Sequence, residues 1–297
     1  MKDRIILVLK ICIGVVFIFS AYSKLILPGI VEIILVDHGL FKERTTAEYF
    51  VRLLIACELT IGLLFFQKNY LRRIVIPGSL LFLIGFTIYL GYTGFILKDS
   101  QNCGCFGELI KMSPVESIVK NIVLIVLITI LFRLVKSDSK KIILPIIILI
   151  LSFAAVFVLS PVKNLKDFRF KDYSYFEGKG RVDLSNGEEL IAVFNLECDH
   201  CQLLAKDLAR MKKMMSWFPE MYALYFSEGQ VSADSFKTIT NFNFAYHIIG
   251  TKDFLNLVGV SPPRIYWLKN GEVKEFWDKD FIQNIALKFS NNSLKKK

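Results

Sequence analysis

The sequence predicts a membrane α-helical bundle of about five spans followed by an α/β domain. Three observations carry that prediction. Long apolar runs fill the first half of the chain. A shorter apolar run, Leu190 to Leu196, leads straight into Cys198-Asp199-His200-Cys201, and the residues from Gln202 to Met215 read as a helix. Later, Pro262-Pro263 precedes a strand, an Asn270-Gly271 turn and a second strand, the pattern of a hairpin. Hydrophobic residues make up 54% of the 297, too many for a soluble chain of this length, and they concentrate before residue 160.

The first apolar run, 5–27, follows Lys2 and Arg4 and suits a span of about 20 residues. A signal peptide over 5–20, cleaved near Ala21-Tyr22-Ser23, is the competing reading. Further spans fall at 49–66, 73–96, 116–135 and 142–160. Lys68, Arg72 and Arg73 lie between the second and third. Arg133, Lys136, Lys140 and Lys141 lie between the fourth and fifth. The positive-inside rule places these loops and the N-terminus in the cytoplasm, although Lys42, Arg44, Lys98 and Lys111 then fall outside. An odd number of spans carries the C-terminal domain to the periplasmic or extracellular side, where disulfides form. The expected division is a four-span part over 1–136, a fifth span and tether over 137–164, and an extracytoplasmic domain over 165–297. The net charge of +10 belongs largely to residues that flank the spans. The chain therefore calls for membrane lipid as a partner and not for nucleic acid.

Within the spans, Glu58 is the ionisable residue that stands out, because a charge at that depth is costly and marks function. It either carries protons during disulfide chemistry, pairs with Lys24, or sits protonated as a hydrogen-bonded packing group. Cys12 and Cys57 read as small apolar core residues. Lys10 is expected to snorkel to the cytoplasmic face. His38 and His247 stand alone and take no role.

Six cysteines occur, and four form two close pairs, 103/105 and 198/201. Pairs so local staple little chain, which favours redox work over a structural framework. A thiol at a helix start lies over unpaired backbone N–H groups and the positive end of the helix dipole, so Cys198 is the candidate nucleophile. Cys201, one turn on, is placed to resolve a mixed disulfide. His200 favours the Cys198 thiolate, whereas Glu197 and Asp199 oppose it. Both pairs fall on the same side of the membrane in the predicted topology. Cys103-Gly104-Cys105 can close into a small strained ring, because glycine tolerates the backbone, and strained disulfides exchange readily. An inert loop disulfide or a metal-binding pair are the alternatives for these two.

Beyond the fifth span, residues 181–189 read as a strand and turn. Tyr222 to Phe226 reads as a central strand, Ser232 to Phe242 as a helix capped by Ser232, Ala245 to Ile249 as a strand, and Phe281 to Phe289 as the closing helix. With the strand–Cys-x-x-Cys–helix and the proline–hairpin, this order resembles the thioredoxin fold over residues 165–290. That resemblance implies that Pro263 is a cis-proline beside the cysteines and shapes a substrate groove. It also exposes departures: Glu197 replaces the usual aromatic residue, and Ala192 replaces a buried proton-transferring acid.

Cys103-Gly-Cys-Phe-Gly107 between spans, the Ser20-Ala-Tyr-Ser-Lys24 ending of the first span, and Glu58 in the second together resemble the DoxX-like membrane proteins, in their MauE branch, over residues 1–136. The branch is named for methylamine utilisation. The resemblance implies maturation of disulfide-rich proteins beside a thioredoxin-like partner, here fused in one chain. The layout is also similar to vitamin K epoxide reductase relatives fused to thioredoxin domains. Quinone chemistry in the wider group makes a quinone a candidate cofactor. The expected activity is thiol–disulfide exchange on exported protein thiols or disulfides, with Cys103 and Cys105 relaying electrons to Cys198 and Cys201. The alternatives are a metal-handling or cofactor-assembly protein, with Cys198, His200 and Cys201 holding a soft metal together with Cys103 and Cys105, and a tethered scaffold.

Overall fold

The computed structural model describes residues 1–97, 112–136, 139–162, 168 and 170–294, with side chains described to 290. Cys103 and Cys105 lie outside the described residues. The chain forms two compact units, Met1–Val162 and Lys163–Lys297.

The first unit is helical. Helix α1 (Lys2–Ile26) stops because Leu27 precedes Pro28, and proline disfavours helical backbone in the residue before it. Pro28 then opens a short helix the sequence reading did not separate, α2 (Pro28–Asp37), where its fixed φ suits the first turn. Helix α3 (Arg44–Leu64) follows. The next span runs Leu71–Ile96. Its α-helical part is α4 (Ile76–Gly91), flanked by π-helical turns at Leu71–Val75 and Tyr92–Ile96. Helix α5 (Pro114–Leu134) starts at a reciprocal capping box between Ser113 and Glu116, and α6 (Ile143–Leu159) completes the unit.

Three of these helices are long and apolar enough to cross a membrane: Lys2–Ile26, Leu71–Ile96 and Pro114–Leu134. Helix α6 is apolar but shorter, at 17 residues. Helix α3 is long enough yet carries Arg52, Glu48 and Glu58. It tolerates them because they are paired. Glu32 of α2 accepts from Arg44 at 2.9 Å and makes a second, very short contact with Arg52. Arg52 also donates to the Ser160 carbonyl at 3.1 Å, so one guanidinium ties α2, α3 and the end of α6. Backbones of α1 and α3 cross closely at two glycines. A Cβ on Gly62 would lie 2.7 Å from Ile18 and 3.0 Å from the Gly14 carbonyl, so only glycine permits the approach.

Several expectations for this unit are corrected. Lys10 is not among them: its stem is buried and its ammonium reaches the Gln67 carbonyl at 3.0 Å, in the turn after α3 that the sequence places on the cytoplasmic side. Cys12 is exposed on the outside of the bundle and Cys57 is half-buried, so neither is a core residue. His38 is not alone: its Nδ1 lies 2.8 Å from the Tyr89 hydroxyl.

The second unit is an α/β domain of thioredoxin-like form. A two-stranded ribbon, β1 (Tyr175–Phe176) and β2 (Gly180–Arg181), precedes the main sheet. The sheet holds β3 (Glu188–Asn195), β4 (Glu220–Phe226), β5 (Ala245–Ile248), β6 (Arg264–Lys269) and β7 (Glu272–Trp277) in the order β5-β4-β3-β6-β7. Strands β3, β4 and β5 are parallel; β6 and β7 run against them. The centre is therefore β3, and the strand over 222–226 is interior but not central. Helices α7 (Asp199–Met214), α8 (Ala233–Thr240), α9 (Thr251–Leu257) and α10 (Phe281–Leu294) complete the domain. Helix α9 was not legible in the sequence. Ser232 caps α8 by accepting from the Ser235 N–H at 3.1 Å. His247 is partnered too, with Nδ1 2.9 Å from the Tyr175 carbonyl.

Alternate residues of β3 face opposite sides of the sheet. Leu190, Ala192 and Phe194 enter one core with Cys201, Leu204, Leu208, Tyr225 and Phe236. On the other face Phe170 packs at a tilt against Tyr266 and Phe176 against Tyr222. A strand buried on both faces reads as a continuous apolar run, which is why 190–196 was visible from sequence.

Candidate functional site

Strand β3 and helix α7 meet at Glu197-Cys198. The ladder continues one residue past the strand, through the Leu196 N–H to the Phe226 carbonyl at 2.9 Å. Cys198 then sits as the N-cap of α7 with extended backbone, φ −81° and ψ 121°. The Cys198 side chain makes no cap hydrogen bond of ordinary geometry, but the His200 and Cys201 N–H groups of the first turn favour its thiolate. Cys201 lies in that turn and is fully buried, whereas Cys198 is half-buried. The two thiols are driven apart. Cys198 falls from an ordinary thiol value to about 6, first because the Cys201 thiol donates to its thiolate. The N–H groups of Cys201 and His200, and the His200 charge, add to this against a burial penalty. Burial pushes Cys201 strongly up, and the neighbouring Cys198 pushes the same way. One sulfur is half-buried and favours the thiolate; the other is fully buried and favours the protonated thiol.

The Pro262–Pro263 peptide is cis and leads into β6. The Pro262 carbonyl lies 3.8 Å from the Cys198 sulfur, so this loop packs over that thiol. A groove of about 490 Å³ opens beside it, lined by His200, Leu204, Pro262, Pro263, Phe281 and Ile282 among others. The structure thus brings together four predicted site residues: Cys198, His200, Cys201 and Pro263. Ala192 is buried in the same core as Cys201, so that position offers the thiol a methyl group and not a carboxylate.

Glu197 corrects the expected electrostatics. Its carboxylate turns away from Cys198 into the loop after β4. There Oε1 takes hydrogen bonds from the Ser227 hydroxyl and the N–H groups of Gln230 and Val231. Burial raises its pKa, but these bonds outweigh that and hold it below the usual carboxylate range. Sequence reasoning treated Glu197 only as a charge, because a partner 30 residues away is invisible in one dimension.

In the helical unit Glu58 is buried against Lys24, with Nζ 2.9 Å from Oε2 and 3.0 Å from Oε1. Ser20 lies 3.3 Å from both carboxylate oxygens and accepts from Lys24 at 2.7 Å. The expected contact between Glu58 and Lys24 is thus present. Glu32 and Arg52 were missed, although the signal used for Glu58 applies to them: an ionisable residue inside an apolar run. An apolar cavity of about 360 Å³ lies in this unit, walled by Phe50, Phe82, Phe86 and Tyr89, with Lys24 at its edge. Its size and aromatic walls fit a lipophilic ring such as that of a quinone. Among the described residues no three His, Cys, Asp or Glu side chains cluster as a metal site.

Residues 2–134 match the family model described as Methylamine utilisation protein MauE. The first unit carries a MauE domain. A curated relative, Protein TlpB of Flavobacterium psychrophilum, is 26% identical over 330 aligned positions, covering 91% of this chain and 90% of that protein. The likeness thus extends through both units. No solved structure matches the chain significantly. The chain is a membrane protein that joins a MauE domain to a thioredoxin-like domain bearing a Cys-x-x-Cys pair.

Proposed function

We propose that the chain is a membrane-bound thiol–disulfide oxidoreductase. The observation that carries this is the opposed pair of thiols at the start of α7, Cys198 lowered to about 6 and Cys201 buried and raised. The Cys198 thiolate attacks one sulfur of a partner disulfide. A mixed disulfide forms and the partner's other sulfur leaves as thiolate. Cys201 then gives up its proton and attacks the Cys198 sulfur, closing Cys198–Cys201 and releasing the second partner thiolate. The partner gains two electrons and the pair loses them. The reverse sequence oxidises a partner dithiol, and the difference in reduction potential sets the direction. With Ala192 behind Cys201, the proton leaves through solvent or a neighbouring group and not through a carboxylate at that position.

In this reading the domain faces the periplasmic or extracellular side and acts on exported proteins. Cys103 and Cys105 exchange electrons with Cys198 and Cys201. A quinone held by Phe50, Phe82, Phe86, Tyr89 and Lys24 would supply or accept two electrons and two protons when bound. Lys24, which lines that cavity, also donates to Glu58, and Ser20 lies within hydrogen-bond reach of both.

The test is a trap. Cys201→Ser, expressed in cells, should accumulate a mixed disulfide through Cys198, seen as a reducible higher-mass band. Cys198→Ser should give none. Equal, partnerless bands from both variants point instead to the metal-handling or scaffold readings.

A further inference from the structure

Glu197 lies between the last strand residue of β3 and the nucleophile, yet its side chain serves another segment. Oε1 receives three donors from one loop: Ser227 Oγ at 2.9 Å, Gln230 N at 3.1 Å and Val231 N at 3.0 Å. The same loop is tied a second time. Asn195 donates from Nδ2 to Glu228 at 2.9 Å, while its Oδ1 accepts the Glu197 N–H at 2.9 Å. The Asn195 carbonyl accepts from the Cys198 N–H at 3.2 Å. Residues 195–198 are thereby clasped to 227–231 through two carboxylates and an amide. Among the described residues Glu197 Oε2 is buried with no hydrogen-bond partner, so the side chain accepts a desolvation cost to stay in place.

We propose that Glu197 is a positioning residue for the exchange reaction: its carboxylate clasps the 227–231 loop and so holds Cys198 at the N-cap of α7. Stabilisation of the thiolate depends on the alignment of its sulfur with the N–H groups of His200 and Cys201 and with the Cys201 thiol. Hydrogen bonds of this kind weaken steeply as angle and distance drift. The carboxylate therefore lowers the thiol's pKa through geometry, against the sign of its own charge, which disfavours a nearby thiolate. This inference rests on the proposed role of Cys198 as nucleophile.

The two contributions have opposite signs, so a titration separates them. The pH dependence of Cys198 alkylation is measured on the reduced full-length chain in membranes, with the modified peptide followed by mass spectrometry. In Glu197→Ala the half-reaction pH should rise by about one unit, a roughly tenfold loss of thiolate relative to thiol. In Glu197→Gln, which keeps an acceptor oxygen and removes the charge, it should stay at or below the wild-type value. An unchanged midpoint in Glu197→Ala, or a fall matching Glu197→Gln, overturns the clasp. If Glu197→Ala does not fold, Ser227→Ala removes one donor and is read in its place: a rise supports the clasp and no change overturns it. The titration needs no partner protein. A trapped mixed disulfide with no shift sinks the clasp alone; a shift with no trapped disulfide sinks the exchange reading alone.

Discussion

At Glu189 a carboxylate is held where it resists ionising. It lies at the start of β3, buried, with Oε2 lacking a partner among the described residues. Burial first, then the negative charges of Glu220, Asp183 and Glu188, push its pKa up to about 7. For an acid raised in the folded state, the fold favours the protonated form. That contribution is full below the unfolded value of about 4.5 and is lost as pH rises through 7. Glu189→Gln should therefore leave the domain unchanged at pH 5 and stabilise it at pH 8 by about 1 kcal/mol, the size left once solvent screening is allowed for. Chemical denaturation at the two pH values measures it, and a variant less stable at pH 8 than wild type refutes it. Glu189 and Glu197 were both plain in the sequence as acids. Neither role was legible, because each depends on what β4 and its following loop bring up against β3. The roles expected of Cys198 and Cys201 rest on local geometry, and a helix that starts at the next residue, Asp199, is readable from a single stretch.

At the scale of elements, the membrane unit is joined by charges more than its apolar runs suggested. Arg52 links Glu32 on α2 to the Ser160 carbonyl at the end of α6. A buried charge left without its partner is far more costly than the pair removed together. Arg52→Met alone should cost about 3–5 kcal/mol and deplete folded protein. Arg52→Met with Glu32→Gln should recover most of it. Size-exclusion profiles and thermal unfolding in detergent report both, and a double variant as poor as the single one argues against the pairing. The polar residues of α3 also explain why a span reading begun at 49 missed its first turn. Arg44 and Glu48 look like loop residues in sequence, and only the packing of α2 shows them as a satisfied cluster. Pro28 was an available boundary signal that the apolar run around it outweighed.

For the whole molecule, the decisive question is whether the two cysteine pairs form one relay. Thiol alkylation gel shift in intact membranes, with wild type against Cys103→Ser/Cys105→Ser, reads it. A changed redox state of Cys198–Cys201 is the expected outcome. Reduced accumulation means that the membrane part oxidises the domain, and oxidised accumulation means that it delivers electrons. An unmoved state makes the MauE domain an anchor or a centre of separate chemistry. The sequence by itself determined the division into an apolar helical part and an α/β domain, the Cys-x-x-Cys at a helix start, and the proline loop before a hairpin. Those features arise from hydrophobic periodicity, turn chemistry and short-range spacing, all of which act between near neighbours in the chain. Only the tertiary structure decided that Glu58 pairs with Lys24, that Cys12 faces outward, that Lys10 caps a turn, and that the Glu197 carboxylate serves the loop after β4. Such outcomes are set by which groups meet across distant segments, where burial makes an unpartnered charge costly and geometry alone chooses the partner.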